Sequence, residues 1–313
     1  MRTLYCAVTY ICNERCVFCP CSEAGTHNRP SLTYAEVCCA IDEAIAKKQI
    51  ENVCLSGGEP TLHPDFFNIV KYISDKGLKV SMLTNAIKLS SPEFVEKLGA
   101  CCDLKNADIT IAIHSHIPQK HDELTQHKGS FELSLRGAMN LVEKGVKLSI
   151  KNNIINHTYK ELPAYVDWVY ATFPESVTLL FANIDVNGVA LRNKEFVNVH
   201  FNKSMPYLQA ALDKIVEARE KGCKRNVKIF TTPLCLIDPY YWRFVEQETK
   251  ELLATYIVPN AEEKNPLLFD VSSDSGPMFK ACEECAMKPY CPGTWRTFRY
   301  SYDESILKRL SAE

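Results

Sequence analysis

Three cysteines lie close together near the start of the chain. Cys12, Cys16 and Cys19 are separated by three and then two residues in the stretch ICNERCVFCP, which directly follows a β-rich run. A loop that leaves the end of a strand can wrap three thiolates at this spacing around one iron-sulfur cubane. A cubane needs four ligands, so three protein thiolates leave one iron open. The spacing therefore predicts a [4Fe-4S] cluster whose open iron binds a small chelating ligand.

A glycine-rich tetrapeptide follows the next β-rich run. Glycine lets a ligand approach the backbone closely, and an ionised glutamate accepts a strong hydrogen bond from an ammonium group. The residues of this turn are Gly57, Gly58, Glu59 and Pro60.

The cysteines permit a second interpretation, a structural zinc site. Zinc prefers four Cys or His ligands, and Cys16 and Cys19 could be joined by Cys21 or His27. The glycine-rich tetrapeptide would then be an ordinary turn. Because two motifs at two strand ends must then coincide by chance, we favour the iron-sulfur cluster.

Together the two motifs resemble those of radical S-adenosylmethionine (SAM) enzymes. That family carries C-x3-C-x2-C after its first strand and Gly-Gly-Glu-Pro after its second, and the resemblance covers residues 3–231. It implies that the amino and carboxylate groups of SAM chelate the open iron. It also implies that the backbone and carboxylate of Gly-Gly-Glu-Pro bind the amino group. Cys12, Cys16 and Cys19 are then catalytic as well as metal-binding residues.

The resemblance also predicts further SAM contacts. Phe18 matches an aromatic position that the family sets against adenine. Thr84 and Asn85 end the third predicted strand, where relatives often carry a Thr-Asn pair near SAM, although helix capping or a turn explains them equally well. Ala112 stands where many relatives place a ribose-contacting serine, and Asn152 on the fifth predicted strand is the substitute that we consider.

A second group of cysteines lies near the end of the chain. Cys282, Cys285 and Cys291 form C-x2-C-x5-C, and Cys235 stands just after the last predicted strand. Four thiolates satisfy every iron of a cubane. The arrangement resembles the SPASM and twitch modules of radical SAM enzymes that modify ribosomal peptides, and it predicts a second, auxiliary [4Fe-4S] cluster for electron transfer or structural support. A zinc knuckle made by the same four residues is the alternative.

Most of the other cysteines fall in predicted strands or helices, where we expect them to pack as small apolar residues. Cys21 is the exception, because it directly follows the cluster loop and a thiol there could meet the substrate. His63 is expected to be a turn element. Four polar residues near later strand ends are candidates for the cavity wall, although a satisfied hydrogen bond or a solvated position explains each more simply: His114, His116, Lys151 and Asp185.

Alternating β-rich runs and amphipathic helical segments must position these residues. The alternation predicts an α/β fold, a partial (β/α)6 TIM barrel of the radical SAM type. The predicted strands are 3–11, 51–56, 77–84, 107–114, 147–155, 176–184 and 226–231, and the predicted helices are 33–48, 64–76, 91–99, 131–144, 160–171 and 204–221. Residues 1–231 are expected to form the barrel, with 185–203 as a substrate-binding loop. Residues 232–313 are expected to form a small iron-sulfur cap with a helix near 240–254.

Length and composition limit the remaining possibilities. The 313 residues suffice for one large domain with a modest extension, and the formal net charge of −2 gives no basic face for generic nucleic-acid binding. No apolar run approaches the roughly 20 residues that span a bilayer, and no signal peptide is recognisable. We therefore expect a cytoplasmic protein without a membrane partner, whose fifteen cysteines bind metal or pack instead of forming disulfides.

The family's reaction begins when an external one-electron donor of the flavodoxin or ferredoxin type reduces the first cluster. SAM is then cleaved to methionine and a 5′-deoxyadenosyl radical, which abstracts a hydrogen atom from the substrate. The later part of the chain resembles the maturases of His-Xaa-Ser-type systems, so a ribosomally synthesised precursor peptide is the expected substrate. Because the chain starts on its first strand, we expect the barrel loops, the cap or a separate recognition protein to bind the peptide. The alternatives are radical chemistry on a nucleotide or other small molecule, as in molybdopterin biosynthesis, and a non-catalytic metal-binding protein.

Overall fold

The computed structural model describes residues 2–20, 31–246, 255–258, 267–270, 275–277, 279–295 and 304–311. Its strands are β1 (Thr3–Thr9), β2 (Asn52–Gly57), β3 (Lys79–Thr84), β4 (Asp108–Ala112), β5 (Lys147–Ile154), β6 (Thr178–Asn183), β7 (Val227–Phe230), β8 (Thr255–Val258), β9 (Leu267–Asp270), β10 (Ser275–Gly276) and β11 (Thr294–Trp295). Its α-helices are α1 (Tyr34–Lys48), α2 (Phe66–Asp75), α3 (Pro92–Cys101), α4 (Pro118–Thr125), α5 (Ser130–Glu143), α6 (Leu162–Thr172), α7 (Gly188–Arg192), α8 (Lys194–Val197) and α9 (Phe201–Glu220).

In the described part of the chain, nine strands form one sheet in the order β7-β6-β5-β4-β3-β2-β1-β8-β9. The pairs from β7 to β8 are parallel, whereas β9 runs antiparallel to β8. The strands β1 to β6 are each followed by a helix before the next strand begins. The sheet is open, because β7 and β9 are its two edges. The predicted α/β fold built from six βα units is therefore confirmed.

Local sequence explains why the helices form and which face they bury. A capping box starts α1, because the Thr33 hydroxyl accepts from the Glu36 amide and the Glu36 carboxylate accepts from the Thr33 amide. The apolar stripe of α2 recurs at the spacing of a helix that packs on a sheet, and its buried residues are Phe66, Ile69, Val70 and Ile73. No helix of the described ranges is long and apolar enough to cross a bilayer.

The structure differs from the predicted elements in three short helices. Helix α4 lies between β4 and α5, and its sequence PQKHDELT carries too few apolar residues to show a helical stripe. The segment 185–203, expected to be a substrate loop, contains α7 and α8. Asn187 starts α7, because its side chain accepts a hydrogen bond from the Gly188 amide. These helices contact the cluster loop, as described below.

The C-terminal part of the chain also differs from the predictions. The helix predicted near 240–254 is a 3-10 helix over Pro239–Phe244, while 247–254 lie outside the described residues. Val245 forms a parallel bridge with Ile229 of β7. Strand β8 pairs with β1, so residues beyond the proposed domain boundary at 231 extend the main sheet. The division into 1–231 and 232–313 stays a prediction.

Candidate active site and C-terminal cysteine site

A cavity of about 280 Å³ lies at the carboxyl ends of strands β1 to β5. The carboxyl ends of parallel strands meet at the same edge of a sheet, which is where enzymes of this architecture place their sites. The cavity brings together most of the predicted site residues, namely Cys12, Cys16, Phe18, Cys19, Gly57, Gly58, Glu59, Thr84 and Asn85. Pro60 follows directly and begins a 3-10 turn, Pro60–Leu62.

The glycine pair lies against the start of the cluster loop. The Gly58 amide donates to the Thr9 carbonyl at 2.7 Å, and the Glu59 amide donates to the Ile11 carbonyl at 2.9 Å. A Cβ atom on Gly58 would lie 2.3 Å from the Ile11 oxygen, and one on Gly57 would lie 2.2 Å from the Thr9 oxygen. Since no side chain fits at either distance, the two motifs approach each other only because both residues are glycine.

The Glu59 carboxylate is buried and receives four hydrogen bonds. One oxygen accepts from the Thr61 amide at 3.1 Å, from the Thr61 hydroxyl at 2.5 Å and from the Thr84 hydroxyl at 2.8 Å. The other oxygen accepts from the Asn85 amide at 2.8 Å. Burial raises the pKa of Glu59, and these hydrogen bonds oppose that rise. Glu59 therefore ties the turn after β2 to the end of β3.

Thr84 and Asn85 combine the two roles that the sequence left open. Both line the cavity, and both also stabilise the turn after β3. The Thr84 hydroxyl accepts from the Ala86 amide at 2.9 Å, and the Asn85 side-chain oxygen accepts from the Ile87 amide at 3.1 Å. The Asn85 side-chain amide donates to the Asn13 side chain at 2.7 Å, so this turn contacts the cluster loop directly.

The cluster loop is held on one side by α4. The Arg15 amide donates to the Thr125 carbonyl and the Val17 amide donates to the Leu124 carbonyl, both at 2.9 Å. The two carbonyls belong to the last two residues of α4. The unpredicted helix α4 therefore fixes the course of the loop on both sides of the second predicted ligand, Cys16.

The short helices α7 and α8 hold the other side of the loop. The Val189 amide donates to the Cys19 carbonyl at 3.1 Å, and the Asn193 side-chain amide donates to the Val17 carbonyl at 2.9 Å. Gly188 has φ +53°, and a Cβ atom there would lie 2.5 Å from the Pro20 carbonyl oxygen. Residues 185–203 thus position the cluster loop.

The three cysteines are half-buried, and the buried residue Glu14 lies between the first two of them. The Glu14 amide donates to the Cys12 sulfur at 3.4 Å, and the Cys16 thiol donates to the Glu14 carboxylate at 3.3 Å. Burial raises the pKa of Cys12 to about 12 and raises that of Cys16 well above its ordinary value. Burial also raises the pKa of Glu14 to about 8. Such thiols become thiolates only when a positive centre compensates for burial, and the iron of a bound cluster would supply that charge.

A single zinc ion and a cubane would require different arrangements of these thiols. A zinc ion draws its thiolate and imidazole ligands to about 2.0–2.3 Å from one point, whereas a cubane distributes them over separate irons. Within the described ranges, no three His, Cys, Asp or Glu side chains are arranged to hold a single metal ion. Cys21 and His27, the additional ligands of the zinc interpretation, lie outside the described residues, and so does the predicted role of Cys21 toward the substrate.

Phe18 lines the cavity, but it is also part of a small apolar cluster. Its ring is buried with Leu124 and Ala190, and it meets the ring of His114 edge-on at 4.5 Å between centroids. The ring is therefore fixed in place before any ligand binds. This rigidity suits the adenine contact that the family resemblance implies.

The strand β5 presents different residues to the cavity from the one predicted. Asn152 does not line the cavity, because its side-chain amide donates to the His114 carbonyl at 3.0 Å. Its neighbours Lys151 and Asn153 line the cavity, as the alternation of side chains along a strand requires. Ala112 and His114 also contribute to the wall. Asn153, and not Asn152, therefore faces the cavity.

Two residues that were candidates for the cavity wall lie elsewhere, and a third residue, expected to be a turn element, lies in a turn. His116 and Asp185 do not line the cavity. His63 is buried, and its ring bonds to the Leu32 carbonyl at 2.6 Å and accepts from the Asp65 amide at 3.1 Å, as a turn element does.

Two of the remaining cysteines pack in the core. Burial raises the pKa of Cys54 to about 12 and that of Cys102 to about 11, as expected of buried thiols.

The four C-terminal cysteines surround one small cavity of about 20 Å³. They are Cys235, Cys282, Cys285 and Cys291. The Cys291 sulfur accepts from the Leu234 amide at 3.4 Å and from the Gly293 amide at 3.3 Å. Backbone N–H donors of this kind stabilise negative charge on sulfur and tune the potential of iron-sulfur clusters. The fold thus gathers the predicted second ligand set.

The C-terminal cysteine site is attached to the barrel through Trp295. Its indole N–H donates to the Asn183 carbonyl at the end of β6, at 2.9 Å. The Asn183 side-chain amide in turn donates to the Thr232 hydroxyl at 2.8 Å, just after β7. The cysteines therefore lie at the same edge of the sheet as the first cavity.

Comparison with known proteins agrees with the fold and the site. Residues 6–169, just over half of the chain, match the radical SAM superfamily. The chain belongs to this superfamily. Sequence reasoning found both of its motifs, but it missed Glu14 and Asn153 as cavity residues. The alternation of side chains along β5 could have indicated Asn153, whereas nothing in the sequence singles out Glu14.

Two relatives and one solved structure describe the similarity. Mycofactocin maturase MftC of Mycobacterium tuberculosis is 31% identical over 146 residues, which are 46% of this chain and 36% of that protein. The probable GTP 3',8-cyclase of Sulfurisphaera tokodaii is 30% identical over 239 residues, 74% of this chain and 71% of that protein. The crystal structure of Streptococcus suis SuiB bound to precursor peptide SuiA has a TM-score of 0.66 and 16% identity, covering 99% of this chain and 75% of that chain.

These similarities differ in what they establish. At 16% identity, the likeness to SuiB shows a shared fold. The chain spans well under half of the length of MftC, at 36%. The substrate of the whole protein is therefore a matter for proposal.

Proposed function

We propose that this protein is a radical SAM enzyme that modifies a ribosomally synthesised peptide. The observation that carries the proposal is the single cavity that holds three cysteines against the Gly-Gly-Glu-Pro turn. Membership of the superfamily implies SAM and a [4Fe-4S] cluster as cofactors. When reduced, the cluster supplies the electron that cleaves SAM to methionine and a 5′-deoxyadenosyl radical.

The residues of the cavity have separate tasks in this proposal. Cys12, Cys16 and Cys19 hold the cluster through their thiolates and leave one iron for SAM. Gly57 and Gly58 allow close approach of the ligand to the backbone. The walls contributed by Phe18, His114 and the strand ends keep water and competing hydrogen donors from the reacting atoms.

A peptide substrate is supported by what the names of two similar proteins say of those proteins. MftC is named a maturase, and SuiB was crystallised with a precursor peptide. The likeness to SuiB extends over 99% of the chain, which includes the C-terminal cysteine site. Leu83 lines the cavity and is 38% exposed, so the cavity offers an apolar contact toward solvent. Radical chemistry on a nucleotide is the second candidate, because the GTP cyclase matches 74% of the chain.

The C-terminal cysteine site is proposed to hold a second [4Fe-4S] cluster. Four thiolates around one cavity satisfy all four irons, so no iron is left for the substrate. Its role would then be electron transfer or support of the cap. We also propose an external one-electron donor of the flavodoxin or ferredoxin type and, as a further partner, a separate peptide-recognition protein.

The test is anaerobic turnover of the reconstituted protein with SAM and dithionite. Release of 5′-deoxyadenosine is measured by chromatography, with the Cys12/Cys16/Cys19→Ala variant as the control. Candidate precursor peptides and GTP are then added in separate reactions and analysed by mass spectrometry. A mass change in a peptide alone supports the proposal, and conversion of GTP alone replaces it with the nucleotide alternative. Absence of SAM cleavage under all conditions contradicts radical SAM activity.

A further inference from the structure

Strands β5 and β7 place three lysines on one face of the sheet. Leu180 of β6 is in register with Lys151 of β5 and with Lys228 of β7, so these side chains lie on the same side. Lys147 also belongs to β5, an even number of residues before Lys151, and therefore shares that side. Lys151 lines the cavity, so this is the side of the sheet that faces the site. The three lysines can therefore be compared as groups of one surface.

Two of these lysines have an acidic partner, and Lys151 does not. Asp108 pairs with the Lys147 ammonium group at 2.9 Å, and Glu246 pairs with Lys228. Burial lowers the pKa of Lys151, and no neighbouring acid in the part of the chain that the structure describes opposes that shift. The half-buried ammonium group of Lys151 therefore lacks the counter-charge that a cation needs when it is removed from water.

The charged groups of the cavity wall are separated from one another. Among the described residues, its acidic side chains are Glu14 in the cluster loop and Glu59 after β2. Lys151 lies on β5, three strands from β2 and four from β1 in the sheet. Arg15 is the other cationic residue of the wall, and it is exposed in the cluster loop. The part of the wall that β5 contributes is therefore positive and calls for an anionic group on a ligand.

The substrate is the source of an anionic group that SAM does not provide. In the proposed function, the carboxylate of SAM is chelated by the open iron of the cluster, which the loop after β1 holds. The sulfonium, ribose and adenine groups of SAM carry no negative charge. A group that neutralises Lys151 must therefore enter the cavity with the second reactant.

We propose that Lys151 determines substrate specificity by binding a carboxylate of the peptide, from an Asp or Glu side chain beside the residue that is modified. Asn153, two residues further along the same wall, can donate a second hydrogen bond to that carboxylate through its side-chain amide. The inference rests on the proposed function, because it requires a peptide in this cavity. It deepens that function by naming the chemical class of the peptide.

The experiment uses the full chain with its first cluster loaded and with SAM present, under anaerobic conditions. The probes are three equimolar libraries of short peptides with acetylated and amidated ends, identical except for a central Glu, Gln or Lys. Retained peptides are measured by mass spectrometry after equilibrium ultrafiltration. Wild type should retain the Glu library about 10-fold more than the Gln library, as a charge-assisted hydrogen bond requires.

Three variants test whether Lys151 is the origin of this preference. Lys151→Met keeps a long side chain without the charge and should retain the Glu and Gln libraries equally. Lys151→Glu should instead favour the Lys library, a reversal that a purely structural role would not produce. Lys147→Met is the matched control, because Lys147 lies on the same face of the same strand but does not line the cavity. It should keep the wild-type preference.

The pattern of retention decides the outcome. Equal retention of all libraries by wild type, or an acidic preference that survives in Lys151→Met, overturns the inference. Loss of SAM affinity in Lys151→Met without a change in peptide retention assigns the cation to the carboxylate of SAM and also overturns it. Retention of GTP over guanosine, without any peptide preference, replaces the carboxylate with a nucleotide phosphate. Failure of wild type to cleave SAM contradicts the proposed function itself.

Discussion

Asn193 donates a hydrogen bond from its side-chain amide to the carbonyl oxygen of Val17 at 2.9 Å, although the two residues are 176 positions apart in the chain. Val17 lies between Cys16 and Cys19, so this bond reaches the centre of the predicted cluster loop. The loop, which follows β1, is thus held by a segment that follows β6, five strands away in the sheet. Its geometry depends on a contact that forms only when the whole barrel has folded.

The first prediction concerns this contact. Asn193→Ala removes the donor and leaves the half-buried Val17 carbonyl unpaired, at a cost of about 1 kcal/mol. We expect a reconstituted variant to lose iron to a chelator several-fold faster than wild type, as followed by the absorbance of the cluster. Asn68→Ala, at an exposed position of helix α2, is the matched control and should retain the wild-type rate. Equal rates in all three proteins would show that the bond does not hold the loop.

The second prediction concerns Gly58. In Gly58→Ala the new methyl group would lie 2.3 Å from the Ile11 oxygen, so the turn after β2 must move away from the cluster loop. We expect a loss of about 2–4 kcal/mol in the free energy of unfolding, measured by urea denaturation, together with loss of SAM binding. Gly77→Ala is the control, because that glycine has φ +72° but no atom near its Cβ position. Its cost should be about 1–2 kcal/mol without loss of SAM binding.

The sequence predicted the site well wherever a strand end and a chemical motif coincide. The cysteines follow β1 and the glycine pair ends β2, so strand prediction alone placed both motifs at one edge of the sheet. Asn152 shows the limit of this reasoning. A shift by one residue on a strand moves a side chain to the other face, and only the structure shows that Asn153 faces the cavity.

Other parts of the structure left little trace in the sequence. Helix α4 has few apolar residues. It can form nonetheless, because the cluster loop donates hydrogen bonds to its end and because its residues His121 and Leu124 are buried. Strand β8 is four residues long and pairs with β1, which is distant in the chain. The burial of Glu14 and its contact with the Cys16 thiol depend on how the cluster loop folds, and no sequence pattern records either.

The third prediction concerns pH. Burial lowers the pKa of His121 to about 4, below the ordinary value near 6.5 of the unfolded chain. The unfolded state therefore binds more protons, and the stability due to neutral His121 is complete above pH 6.5 and is lost as the pH falls toward 4. Urea denaturation should show a loss of about 1 kcal/mol from this residue between pH 7.5 and 5.5.

The variant His121→Asn tests this origin of the pH dependence. Asn retains an acceptor for the His114 amide, which His121 binds at 3.1 Å, but it has no charge to gain. The variant should be less stable at pH 7.5, and its stability should fall by about 1 kcal/mol less than that of wild type on acidification. An identical fall in both proteins would assign the pH dependence to other groups, such as buried His114.

The last prediction concerns the two cysteine sites together. Two cubanes require about eight irons per chain after anaerobic reconstitution, and the Cys12/Cys16/Cys19→Ala variant should retain about four. That variant should form no 5′-deoxyadenosine, and its remaining cluster signal should not change when SAM is added, because the C-terminal cluster has no open iron.

The complementary variant replaces the four C-terminal cysteines with Ala. It should still cleave SAM and respond to it spectroscopically, but it should form no modified peptide. Cys39→Ala/Cys223→Ala is the control, since neither residue lines the two cavities. Wild-type protein with about four irons and one tightly bound zinc would show that the C-terminal site is a zinc knuckle. An electron-transfer role for that site would then be ruled out.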